Sequence, residues 1–144
     1  MKTTIQNKFI MAGFLGMLLL LLLFTSCSQR DPEIGIGPVD KVEISATIDD
    51  GMVTKGKQIF ETKCLSCHKI NEKFVGPALI GVTKRRKPEW IMNQILNPEE
   101  MTKKDEVAMR LFHEYNMTQM TFQNVTQDDA RAILEYFRKN DSEK

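Results

Sequence analysis

Cys64-Leu65-Ser66-Cys67-His68 places two thiols and an imidazole within one short segment. Thiols spaced one helical turn apart can each form a thioether with one of the two vinyl groups of a haem. The histidine that follows can then give a ring nitrogen to the iron. C-x-x-C-H is the attachment signature of c-type haem. Other chemistries use the same side chains but fit less well. A redox dithiol of the thioredoxin type goes with a preceding strand in an α/β pattern, and the residues before Cys64 have a helical period. A zinc site needs four ligands, and only His113 is left to join Cys64, Cys67 and His68 if Cys27 is otherwise used. A disulfide across two intervening residues closes too small a loop to act as a staple.

The elements that must hold these groups are helical. Residues 53–64 carry Gly56, Ile59, Phe60 and Cys64 at i, i+3, i+4 spacings. Gly76-Pro77 and Gly81 mark a loop. Pro88-Glu89-Trp90 opens a second helix with Pro and Glu where a first turn favours them. It continues through Ile91, Gln94 and Ile95 and stops at Asn97-Pro98. A third starts near Asp105, with Val107, Leu111, Phe112 and Tyr115 on one stripe. Thr126-Gln127-Asp128-Asp129 forms a capping box with Asp in place of Glu, and the last helix, bearing Ala130, Ile133, Leu134 and Phe137, ends near Asn140. The pattern predicts an all-α domain of several short helices and long loops. Such helices are marginal alone, and a domain this small buries a modest core. A large apolar cofactor at the centre solves that problem.

The N-terminal segment has a different character. Lys2 and Lys8 precede an apolar run over residues 9–24, which includes Leu at every position of 18–23. The run is short for a membrane-spanning helix, which needs ~20 residues, and residues 1–26 are expected to be a signal peptide. Leu23-Phe24-Thr25-Ser26-Cys27 resembles a bacterial lipoprotein signal, with Phe24 where Leu is usual. The resemblance implies that Cys27 is lipidated, so that the chain is exported and anchored to a membrane, facing the periplasm. An uncleaved anchor is the alternative. Residues 27–51 read as a flexible tether, in which Val42, Ile44, Ala46 and Ile48 alternate as an extended arm would. Residues 52–144 form the domain. Without Lys2 and Lys8, the 20 basic residues drop to one fewer than the 19 acidic ones, so no global charge draws the chain to nucleic acid.

Residues 53–140 resemble the class I, mono-haem cytochrome c family. Gly56 and Phe60 match its N-terminal helix, Cys64, Cys67 and His68 its haem motif, and Gly76-Pro77-Ala78-Leu79 the loop after it. The resemblance implies the small cytochrome c fold wrapped around one covalently attached haem c. It implies an electron carrier, not an enzyme, serving redox proteins such as a respiratory complex, a terminal oxidase or a periplasmic reductase. By the same match, the Pro77 carbonyl accepts a hydrogen bond from His68. The resemblance also implies that Met120 is the sixth iron ligand, although Thr121 replaces the Pro that follows this Met in many relatives. Met117 and His113 are its rivals, while Met92, Met101 and Met109 belong to packing or surface. Arg85 or Arg86, in the basic run Lys84-Arg85-Arg86-Lys87, is implied to pair with a haem propionate, and Trp90 to pack against the haem. Lys63, Lys69 and Lys73 would steer an acidic partner if they ring the haem edge. An open sixth site would instead make the protein a haem peroxidase or a gas-binding haem protein.

Overall fold

Helices account for the regular structure of residues 31–143, those described in the computed structural model. The expected signal peptide and Cys27 lie outside the described residues. Asp49 accepts a hydrogen bond from the Met52 amide and caps α1, Asp50–Lys63, as an aspartate before a first helical turn can. A single-turn helix α2, Val82–Arg85, follows the long loop after the Cys/His motif. Next come α3, Pro88–Leu96, and α4, Pro98–Lys104. Asp105 accepts from the amides of Val107 and Ala108 and starts α5, Glu106–Glu114. The Thr126/Asp129 capping box opens α6, Gln127–Ser142. A 3₁₀ turn, Pro32–Ile34, precedes them all, and no strand occurs among the described residues.

The crossing of α1 and α6 is the most extensive contact between elements. Gly56 makes it possible, because a Cβ there would come 2.0 Å from the Ala132 carbonyl oxygen. One turn on, Phe60 meets the ring of Phe137 edge-on, with centroids 5.8 Å apart. Trp90, Ile91 and Met92 of α3 and Met101 of α4 complete the buried centre with Ile133 and Leu134 of α6.

The expected tether, 27–51, is fastened to the domain over its described part. Asn93, fully buried on α3, accepts from the Val39 amide and donates to the carbonyls of Ile34 and Val39. Asn97 donates to the Ile36 carbonyl, Glu89 accepts from the Val42 amide, and the Val39 side chain is buried. The arm has no neighbouring strand to satisfy its backbone, so side chains of α3 do so. Further on, Arg138 donates to the Ser45 carbonyl, and the buried Glu135 accepts from the Asp49 amide and from Arg138.

Candidate cofactor site

α1 ends at the motif itself. The amides of Cys67 and His68 both donate to the Cys64 carbonyl, at 3.1 and 2.9 Å, so the two thiols sit one turn apart. Cys64 is half-buried and Cys67 exposed. Burial pushes the Cys64 thiol above its usual pKa, with the Lys63 charge opposing. The following loop is hydrogen-bonded onto the motif: Gly76 donates to the Cys67 carbonyl at 2.8 Å and Ile80 to the Ile70 carbonyl at 2.7 Å. This brings the Pro77 oxygen to 3.3 Å from His68 Nδ1. Burial holds His68 below the ordinary histidine pKa, and the Pro77 carbonyl partly offsets that. A neutral ring facing a carbonyl carries its proton on Nδ1, which leaves Nε2 with a lone pair for a metal. Gly76 is required by space: a Cβ there would lie 2.5 Å from His68 Cε1.

A cavity of about 280 Å³ opens beside this loop. Its walls bring together Cys64, Cys67, His68, Pro77 and Met120, and also Arg85, Arg86 and Trp90. Met117 and His113 are not among its lining residues; Met117 is 63% exposed and His113 is also exposed. Met92 and Met101 are core residues and Met109 is at the surface. Trp90 is buried and its indole Nε1 donates to Asp105 at 3.2 Å. The Arg86 guanidinium lies 5.4 Å from the Trp90 ring centroid, and Arg85 donates to the Ile80 carbonyl. Lys69 and Lys73 lie over the rings of Phe74 and Tyr115.

Met120 sits in a loop between two left-handed turns, Asn116-Met117 and Asn124, all non-glycine residues with positive φ. Gln119 donates to the Met120 carbonyl at 2.8 Å, and Lys63 Nζ to the Gln123 carbonyl at 3.0 Å. Gln94 Nε2 lies 3.5 Å from the Met120 sulfur. Two of these contacts were not anticipated from sequence. Lys63 reads as a surface charge, and its loop contact spans 60 residues. Gln94 carried a signal, as a polar residue on the stripe of Trp90, Ile91 and Ile95.

The donor set fits a haem. Two thiols, a neutral imidazole and a thioether line one apolar cavity, and arginines at its wall could meet propionates. Such a frame and site define a small haem-binding electron carrier of the c type. The cytochrome c family model matches residues 53–141, and the chain belongs to that family. It is 28% identical over 104 residues to a cytochrome c-553-like protein of Synechocystis, covering 63% of this chain and 90% of that one. A solved cytochrome c from Rhodothermus marinus matches with TM-score 0.76 and 44% identity, covering 79% of this chain and all of the other. The cytochrome c domain of a Pseudomonas putida protein matches with TM-score 0.54 and 32% identity, over 60% of this chain and 88% of that one. The protein is therefore a mono-haem electron-transfer cytochrome with haem c covalently attached.

Proposed function

We propose that the haem is attached through Cys64 and Cys67 and ligated by His68 and Met120, and that the protein carries single electrons at a membrane surface on the periplasmic side. One observation carries the ligand assignment: of the three candidate sixth ligands, Met120 alone shares the cavity wall with His68. When bound, the haem supplies a one-electron couple. The chain's own residues do the rest. Pro77 fixes the His68 tautomer and strengthens its nitrogen as a donor. A neutral thioether favours the reduced metal, which raises the reduction potential relative to a second imidazole. With His68 and Met120 both holding the iron, no position would be left for oxygen or peroxide, which would suit a carrier. Arg85 and Arg86 offer charge to propionates, and Trp90 gives an apolar wall. Acylation of Cys27 would anchor the chain; one acyl chain binds marginally and two or more bind stably. The redox partners are proteins of the same compartment, such as a respiratory complex, a terminal oxidase or a periplasmic reductase.

The test is the absorption spectrum of the haem-loaded protein beside Met120→Ala. The expected result is a c-type spectrum with the weak sulfur-to-iron charge-transfer band, and loss of that band in Met120→Ala. A band that survives the substitution moves the ligand elsewhere. A native protein without the band, and with rapid carbon monoxide binding when reduced, has an open sixth site and is no simple carrier.

A further inference from the structure

Gln94 is the one polar residue whose place on α3 the ligand assignment leaves unexplained. Its amide nitrogen lies 3.5 Å from the Met120 sulfur, within hydrogen-bonding range for sulfur. Its amide oxygen is buried and has no hydrogen-bond partner among the described residues. A buried oxygen without a partner costs stability, and a leucine of similar size would avoid that cost. Among the described residues, the oxygen end makes no hydrogen bond that calls for a glutamine. The nitrogen end does, since exchanging the two ends of the amide would face an acceptor toward the sulfur, also an acceptor.

We infer that Gln94 is a positioning residue for the electron-transfer site: its amide N–H donates to the Met120 thioether and biases the iron toward the reduced state. A sulfur lone pair engaged with a proton donor has less electron density to give to a metal. The oxidised metal needs that density more than the reduced one, so the donor raises the reduction potential. The contact is built into the fold. Gln94 follows Asn93, whose three hydrogen bonds lock this turn of α3 to the arm. Gln119 donates to the Met120 carbonyl, which helps to hold the loop backbone.

This inference rests on Met120 being the sixth ligand, so the test separates the two. Reduction potential and the charge-transfer band are measured on the haem-loaded full-length protein, on Gln94→Leu, Gln94→Ala and Met120→Ala, and on Gln94→Leu combined with Met120→Ala. The expected result is that Gln94→Leu and Gln94→Ala keep the band but lower the potential by similar amounts. The shift corresponds to a three- to tenfold loss of preference for the reduced state, on the order of one neutral hydrogen bond; tenfold is about 59 mV for one electron. Leu fills the space and Ala does not, so similar shifts in both point to the lost donor and not to packing. In the Met120→Ala background, Gln94→Leu should have no such effect. A potential unchanged in both single variants, with the band intact, overturns the inference while leaving Met120 as ligand. Loss of the band in both overturns it too, because Gln94 would then be needed for ligation itself. Survival of the band in Met120→Ala removes the ligand assignment beneath it.

Discussion

At the scale of single residues, the site depends on where side chains are missing as much as on where they are present. Gly76 has an ordinary backbone conformation, since the positive-φ glycines are Gly35 and Gly81. What it cannot accept is a methyl group, which would meet His68 at 2.5 Å from Cε1 and 2.9 Å from Nδ1. The ring cannot retreat without giving up Pro77, and the loop cannot retreat without losing the hydrogen bond that the Gly76 amide donates to the Cys67 carbonyl. Gly76→Ala is therefore expected to destabilise the haem-loaded protein by about 1–3 kcal/mol, the usual cost of overpacking. Denaturant titration checks this, and stability equal to wild type would mean that the loop moves aside without cost. Much at this scale was legible in the sequence. Cys64, Cys67 and His68 are adjacent, so their chemistry needs no knowledge of the fold. Pro77 and Met120 came from resemblance to a family, because nothing local distinguishes Met120 from eight other methionines. The Gln94 contact with Met120 bridges 26 residues; a polar residue on the stripe of α3 marks Gln94 as unusual, but nothing local names its partner.

At the scale of elements, α6 shows how a helix start is made dependable and how that depends on pH. Thr126 Oγ1 accepts from the Asp129 amide, and the Asp129 carboxylate accepts from the Thr126 amide, both at 3.1 Å. Lys55 on α1 reaches the other carboxylate oxygen at 2.7 Å, which ties the start of α6 to its main packing partner. The Lys55 hydrogen bond, followed by those from Thr126, lowers the Asp129 pKa to about 2. A carboxylate whose pKa is lower in the folded state adds stability above its unfolded pKa, near 4. That stability is lost as pH falls from about 4 through about 2. Asp129→Asn should therefore flatten this part of the acid-unfolding profile and lower stability at neutral pH, with the difference from wild type shrinking toward pH 2 and in high salt. Thermal melts across that range check it, and parallel profiles for both proteins would refute it. This helix and its cap were readable, since the capping box and the apolar spacing lie within a few residues of each other. α4 was not readable. Asn97 ends α3 and precedes α4, and Pro98 at the first helical position restarts the helix where the sequence reads as a stop. α2 is a single turn, too short to display a period.

At the scale of the whole molecule, the arm would limit how far the domain could reach if Cys27 were acylated as proposed. If residues 31–49 were free, the chain from Cys27 to Asp49 could extend roughly 75 Å, at about 3.3–3.6 Å per residue. With the arm held from Ile34 onward by Asn93, the chain back to Cys27 can extend only about 24 Å by the same rule. A lipid on Cys27 would then keep the haem domain near its own membrane, which favours partners there over partners across the compartment. The alternation of Val42, Ile44, Ala46 and Ile48 suggested an extended arm, but its attachment was hidden. The groups that hold it are Asn93 and Glu89 on α3 and Asn97 at its C-terminal end, about 50 to 60 residues away, and an asparagine on a helix usually reads as a surface residue. Asn93 is the element of this clamp most open to attack. It is fully buried, and its two amide atoms satisfy one amide and two carbonyls of the arm. Asn93→Ala removes these three hydrogen bonds to the arm, and any backbone group that stays buried and unpaired costs about 1–3 kcal/mol. The arm escapes most of that cost by detaching. The expected outcome is a total loss of about 3 kcal/mol, well below the sum for three buried groups, with new protease cleavage within residues 31–49. The charge-transfer band should persist, because the Cys/His motif and the Met120 loop are attached elsewhere. Cleavage confined to wild-type positions, together with a stability loss near the full sum, would mean that Val39 and the other arm contacts hold the arm in place without Asn93.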